Sequence, residues 1–157
     1  MKRIRLTQKK WAKVDDEDFV HLNKWKWRFN SPGDAVRWTL GSHKIRKLII
    51  LHREIMSPPV SKVVDHINHD RLDNRKTNLR ICSRSENCRN SVKSSLNTSG
   101  YKGVYWDDTR KRWRTHIRIN KLKRIKLGDF TSKLEAARAY DSAAKKYHGE
   151  FAYCNFA

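Results

Sequence analysis

Residues 64–90 read VDHINHDRLDNRKTNLRICSRSENCRN, and the organisation of the whole chain follows from them. The stretch begins as a short apolar strand, Lys62 to Val64, ending in Asp65-His66. That pair sets a metal-type ligand beside a general-base-type side chain. A loop rich in Asn, Asp and Arg follows, then a second strand from Asn78 to Cys82. Ser83-Arg84-Ser85-Glu86 has the spacing of a capping box, which predicts a helix starting at Ser83. Asn87 and Asn90 then share one helical face. Strand, loop, strand and helix thus bring Asp65, His66 and Asn87 within reach of one site. An Asp-His pair standing alone reads as polar surface. The linked submotifs around it change that reading.

D-H-I-N, D-N-R, N-L-R and E-N-x-x-N, in this order and spacing, resemble the HNH homing endonucleases, whose nuclease motif is a ββα-metal unit. The resemblance implies His66 as the general base that deprotonates the attacking water. It implies Asp65 and Asn87 as ligands of one divalent cation, and Asn78 as the middle Asn that braces the loop. The residue types suit those roles. A hard cation takes oxygen ligands and polarises a phosphoryl oxygen. An imidazole with an ordinary pKa of about 6.5 takes a proton near neutral pH. The last motif position is Asn87 rather than His, which suits Mg²⁺ or Mn²⁺ better than a softer metal. Leu72, Leu79 and Ile81 are expected to form the small core, surrounded by Arg71, Arg75 and Arg80 as possible phosphate clamps. His69 and Asp70 read as loop residues. An L-H-R-x-I-M segment just upstream also occurs in similar nucleases, which puts His52 and Arg53 at the border of the site. Whether Arg53 holds the scissile phosphate or either residue is structural stays open at this level. Cys82, Cys88 and Cys154 form no CxxC pair, so a zinc site is not expected, although some relatives of this unit carry one. Cys82 reads as strand packing and the others as reduced thiols.

Upstream, residues 1–60 read as a β-rich module with little helix. Ile4 and Leu6 alternate with Arg3 and Arg5, and Trp25, Trp27 and Phe29 alternate with Lys24, Lys26 and Arg28. This period of two predicts strands with the tryptophans in the core. Asn30 to Asp34 is a turn cluster, and Ala35 to Leu40 is the returning strand of a hairpin. The basic face of that hairpin is either solvated or in contact with phosphate, and the cationic character of the chain favours phosphate. A third strand, Lys44 to Leu51, leads into a short helical turn at 52–56, which Pro58 and Pro59 stop.

The 157 residues include 36 Lys and Arg against 16 Asp and Glu, a formal net charge of +20. Such an excess predicts a polyanionic partner and salt-sensitive binding. No long helix sets a basic face against an apolar one, so nucleic acid is favoured over a membrane surface. With 38% hydrophobic and 33% charged residues, small modules joined by linkers are expected rather than one large core. The N-terminus MKRIRLTQKK lacks the apolar region of a secretory signal, and the aliphatic run Leu48 to Leu51 is too short to span a bilayer. A soluble, cytoplasmic protein is expected.

Residues 91–98 read as a linker. Beyond them Gly103 to Trp106, Arg112 to Ile119 and Arg124 to Leu127 read as three strands, with Gly128-Asp129-Phe130 as a connection. Ser132 and Glu135 form a second capping box, opening a helix with a stripe at Leu134, Ala137, Tyr140, Ala144 and Tyr147, and Gly149 ends it. One sheet face lies under the helix and the other carries cations, a ribbon suited to a major groove. S-G-Y-K-G-V, W-R-x-x-I, L-G-x-F, E-A-A-R-A-Y-D-x-A-A and N-F resemble the plant ethylene-response-factor (Apetala-two type) DNA-binding domain over residues 99–156. By matching position the resemblance assigns DNA contact to Lys102, Tyr105, Arg112, Arg114, His116, Arg118, Arg124 and Lys126. Several Arg or Trp contact positions of that family are Lys, Tyr or His here, so its target sequence does not transfer.

The chain is therefore read as α+β: a β-rich module at 1–60, a ββα-metal nuclease core at 61–90, a linker at 91–98, and a three-stranded antiparallel sheet packed on one helix at 99–157. The expected function is a site-preferring homing endonuclease that cuts double-stranded DNA with Mg²⁺ or Mn²⁺, as a monomer or weak dimer, of phage-type origin. The alternative is a regulator that keeps the nuclease fold and DNA binding without activity. A structured-RNA binder fits less well, because the C-terminal sheet lacks the exposed stacking aromatics of single-strand readers.

Overall fold

The computed structural model describes residues 1–40, 45–120 and 122–156. They form an α+β fold of two compact units, Met1–Arg84 and Ser85–Ala157.

In the first unit β1 (Lys2–Arg5) and β2 (Trp11–Val14) pair antiparallel, with Ile4 opposite Ala12. The helix α1 (Asp16–Leu22) follows, its first turn carrying Asp16, Glu17 and Asp18 where the helix dipole favours negative charge. Neither β2 nor α1 was expected, because each is too short for a periodic pattern to register. A second sheet has the order β3 (Arg28–Phe29), β4 (Ala35–Leu40), β5 (Arg46–Ile50). The start expected for β5 at Lys44 lies outside the described residues. The alternation at 24–29 yields only a two-residue strand. Trp27 instead enters the core and donates its indole N–H to the Leu22 carbonyl at 2.9 Å, docking on the end of α1. Trp25 is 47% exposed, with the Arg37 guanidinium 4.3 Å from its ring centroid, so the expectation that it is core does not hold.

α2 (Leu51–Met56) ends at Ser57, which takes a left-handed φ of 42°. β6 (Val63–His66) and β7 (Leu79–Cys82) pair antiparallel, Asp65 opposite Arg80 and His66 opposite Leu79. Val64, Leu79 and Cys82 are buried here, whereas Ile81, expected inside, is 41% exposed although it lies on the same strand face as Leu79. One core of Ile4, Leu6, Ala12, Val14, Leu22, Trp27, Ala35 and Leu51 runs through the unit, and Leu72 from the motif loop packs against it.

The second unit contains most of α3 (Arg84–Asn90) and the sheet β10-β9-β8, formed by β8 (Val104–Asp107), β9 (Arg112–Arg118) and β10 (Arg124–Phe130). β10 runs on through the residues expected to be a connection, by way of an irregularity between Lys126 and Gly128. Gly128 permits it with a φ of 151°. α4 (Lys133–His148) is capped by Ser132, whose hydroxyl accepts from the Leu134 amide at 3.2 Å. Its buried face is Ala136, Ala137, Tyr140, Ala143 and Ala144, while Leu134 and Tyr147 are exposed at its two ends. Small alanines let the helix lie close on the sheet, and that leaves no room under it for the larger terminal side chains. Among the described residues no helix is long and apolar enough to cross a membrane.

Gly103 fixes the sheet-to-helix distance. It sits at φ 77°, and a Cβ there would run into the Tyr140 ring. Gly103→Ala is expected to destabilise the second unit by at least about 2 kcal/mol, read as a drop in its thermal midpoint; an unchanged midpoint would show that the helix yields without cost.

Candidate functional site

β6 delivers Asp65 and His66 as adjacent strand residues, both nearly buried. Asp65 Oδ2 accepts from its cross-strand partner Arg80, from Nε at 2.9 Å and Nη2 at 2.8 Å. His66 Nε2 lies 3.4 Å from Asn74 Oδ1. An amide oxygen only accepts, so this pairing puts the proton on Nε2 and the lone pair on Nδ1.

The loop that supplies Asn74 is tied down along its length. Lys13 of β2 donates its amide to the Leu72 carbonyl at 2.7 Å and accepts from the Asn74 amide at 2.9 Å. Between those bonds Asp73 is 1% exposed and takes Arg75 Nε at 2.7 Å and Nη2 at 2.6 Å. The Arg75 bonds hold the Asp73 carboxyl below its ordinary pKa. Asn78 spans the loop's two ends, accepting from the Asn68 amide at 3.0 Å and donating to the Asp73 carbonyl at 2.8 Å.

Two residues from outside the motif complete the cluster. His52 of α2 meets the His66 ring edge-on, centroids 5.0 Å apart and planes at 87°. Asp34, in the turn before β4, is 5% exposed and directs Oδ1 at His52 Nδ1, 4.0 Å away. Arg71 stands 3.0 Å from the same oxygen and donates to the Pro32 carbonyl at 2.6 Å. Burial, reinforced by His66, Arg71 and Arg53, pushes His52 down to about 3. Burial also lowers His66, opposed by the Asn74 bond and by Asp34. Both rings are therefore neutral at pH 7.

Of the expected phosphate clamps, Arg75 and Arg80 are turned onto carboxylates, Arg53 donates to the Lys62 carbonyl at 3.3 Å, and Arg71 keeps a half-exposed guanidinium. Asn87 lies in α3 within the second unit, so the expected ligand pair divides between the units. Among the described residues no three His, Cys, Asp or Glu side chains converge as a metal-binding group. A carboxylate with an amide is nevertheless a hard-oxygen donor set of the kind Mg²⁺ accepts.

In the second unit Tyr105, Arg112, Arg114, His116, Arg118, Arg124 and Lys126 share the sheet face away from α4. Arg114 is pinned there between two carboxylates, Nη1 to Asp107 at 2.8 Å and Nε to Asp129 at 3.1 Å. The Arg110 amide, with the Arg114 and Arg110 side chains, brings Asp107 down to about 2. His116 lies against Arg124 and near Tyr105, and burial together with Arg124, Arg118 and Arg114 lowers it to about 4. Lys102 is placed differently. Its ammonium donates to the carbonyls of Arg89 at 2.6 Å and Ser91 at 2.5 Å, and burial brings it down to about 8.

Comparison with known proteins accounts for both regions. Residues 57–89 match the HNH endonuclease model and residues 99–150 the AP2 domain model. Protein 3.8 of Escherichia phage T7 is 31% identical over 103 residues, covering 63% of this chain and 82% of that protein. An uncharacterized HNH endonuclease of Acanthamoeba polyphaga mimivirus is 28% identical over 146 residues, covering 87% of this chain and 73% of that one. The chain belongs to the HNH endonuclease family and carries a C-terminal AP2 domain.

Within this HNH chain, sequence reasoning missed Asp34 and gave Asn74 no role. Asn74 stood inside the quoted D-N-R, but its partner is set by the loop clamp. Asp34 read as a turn residue, and nothing local to it points toward His52.

The two neutral histidines make the HNH unit sensitive to acid. Unfolded histidine takes a proton near 6.5 whereas folded His52 does so only near 3. The stability of this cluster is therefore complete above about pH 6.5 and is lost progressively as pH falls toward 3. At pH 4.5 the loss from His52 alone is on the order of 2–3 kcal/mol. Hydrogen exchange of the β6 and β7 amides at pH 7.5 and 4.5 is expected to show this loss, and His52→Phe to flatten it. An equally steep dependence in His52→Phe would place the acid sensitivity elsewhere.

Proposed function

We propose that this protein is a metal-dependent, site-preferring DNA endonuclease of the homing type. The observation that carries the reading is His66: nearly buried, neutral, with Nε2 engaged by Asn74, beside a carboxylate inside an HNH match. On this reading His66 accepts a proton from the attacking water at Nδ1. Asp65 and Asn87 hold one Mg²⁺ or Mn²⁺, with Arg80 fixing the Asp65 carboxylate. The bound cation supplies Lewis-acid polarisation of the scissile phosphate. Arg71 and Arg53 offer guanidinium N–H groups to the developing phosphorane charge. Arg75 supports the loop through Asp73, and Asn78 braces its ends.

The substrate is double-stranded DNA, held against the exposed sheet face of the AP2 domain. Arg114, immobilised by Asp107 and Asp129, is suited to reading a base edge, since it is already ordered before contact. Arg112, Arg118, Arg124 and Lys126 are suited to phosphates, and Tyr105 and His116 to packing beside them. Lys102 acts by pinning the backbone that precedes the sheet. One catalytic set per chain predicts nicking by a monomer. The relative from phage T7 supports a phage-type gene whose product works in the bacterial cytoplasm.

Supercoiled plasmid carrying the target is expected to be nicked in Mg²⁺ and left intact in EDTA. His66→Ala is expected to lose at least about 100-fold in rate with DNA affinity retained. Tight binding without cutting in Mg²⁺ or Mn²⁺ would instead make the protein a DNA-binding regulator. For the sheet face, Arg118→Ala is expected to lower the slope of log Kd against log salt by about one unit. Arg114→Ala is expected to cost about 1–3 kcal/mol and to relax sequence discrimination, measured on a panel of single-base variants. Equal losses on all sequences would remove Arg114 from base reading.

A further inference from the structure

We propose that His52 and Asp34 are positioning residues for His66, forming a buried buttress that fixes the plane of its imidazole from outside the HNH motif. This rests on the reading of His66 as the base, and adds what holds the base in aim.

The argument starts from how little fixes an imidazole by itself. A histidine turns about two side-chain bonds, and the long bond from His66 to Asn74, 3.4 Å, sets the tautomer more firmly than the ring plane. A ring packed edge-on against it does define the plane, and His52 supplies that ring. The two rings are perpendicular with centroids 5.0 Å apart, the favoured edge-to-face arrangement for π-systems. His52 is 8% exposed, one position into α2, whose first residue Leu51 is fully buried in the core. The ring is thus carried on an element that cannot shift without disturbing that core.

Behind His52 stands Asp34. His52 Nδ1 is buried without a hydrogen-bond partner, and Asp34 Oδ1 faces it at 4.0 Å. The carboxylate is itself held: its amide donates to Asn30 Oδ1 at 2.6 Å, and Arg71 stands 3.0 Å from Oδ1 while gripping the Pro32 carbonyl. Turn, helix and motif loop therefore converge on one ring. A buried carboxylate facing a neutral imidazole favours the tautomer with the proton on Nδ1, which orients His52 and leaves it no proton-transfer task. The motif loop supplies the tautomer of His66, and the hairpin and α2 supply its orientation.

The test uses the full chain and compares His52→Ala, His52→Phe and Asp34→Asn with the wild type. Two readouts are taken: the single-turnover nicking rate at saturating protein with the DNA Kd, and the ring ¹⁵N signals of His66. His52→Ala is expected to lose at least ten-fold in rate with Kd within two-fold, and His66 to give averaged tautomer signals. His52→Phe, which restores an edge-to-face ring without nitrogens, is expected to recover most of that loss and a single Nε2–H tautomer. Asp34→Asn is expected to fall between the two. Failure of His52→Phe to recover either readout would overturn the proposal, because a ring nitrogen would then be required. Full rate and unaveraged signals in His52→Ala would also overturn it, because packing would then be irrelevant. If the wild type does not cut DNA at all, the nuclease reading fails, yet the His66 signals still decide whether the buttress exists.

Discussion

The site hangs on two backbone hydrogen bonds made by Lys13. An edge residue of β2 borrows the motif loop as a one-residue parallel partner, gripping it on either side of Asp73. The loop between β6 and β7 is polar and has little apolar surface of its own to bury, so a hydrophobic account does not explain why it should be ordered. It is ordered because its backbone is paired and its carboxylate is neutralised in place by Arg75. Once Asp73 and Asn74 are immobile, Asn74 is available to hold His66. The chain of cause runs from a short, unremarked strand near the N-terminus to the tautomer of a histidine more than fifty residues later.

That dependence explains which parts of the molecule the sequence disclosed. The long, periodic elements were legible: β4 at Ala35–Leu40, β9, and α4 with Ser132 as its cap, because alternation, helical spacing and capping chemistry are local properties. The HNH pair Asp65-His66 was legible through its spaced neighbours. What escaped was decided by contact across distance. Trp25 and Trp27 alternate identically in the sequence, yet only Trp27 finds a buried carbonyl beneath α1. Ile81 and Leu79 share one face of β7, yet only Leu79 is covered. Lys102 sits in a motif that suggests an outward cation, while its ammonium is used up on the carbonyls of Arg89 and Ser91. Asp34 gains its meaning from Arg71 and His52, neither of which is near it in sequence.

The chain's +20 charge is also not spread as a uniform coat. In both units acidic side chains are spent on fixing particular arginines: Asp65 with Arg80, Asp73 with Arg75, and Asp107 and Asp129 with Arg114. A guanidinium held this way has lost its rotational freedom before DNA arrives, so the entropic cost of ordering it is already met by folding. A guanidinium without any such partner keeps its rotamer freedom until contact and acts first through long-range attraction. The few carboxylates therefore sort the many cations into aimed and unaimed groups.

The irregularity at Gly128 has a consequence for how the cation-bearing sheet can change over time. By inserting one residue it turns Asp129 to the same side as Lys126 and returns Phe130 to the side under α4. The strand thus has a phase, set at a single glycine. Flattening the irregularity with no residue removed would instead put Asp129 opposite Trp113, on the helix side, and turn Phe130 to the far side. Side chains on the far side of the sheet can be exchanged one at a time without altering that phase. Loss of the one extra residue would leave the phase as it is, so the strand can shorten by a single codon here, whereas a loss elsewhere along it would exchange its two faces.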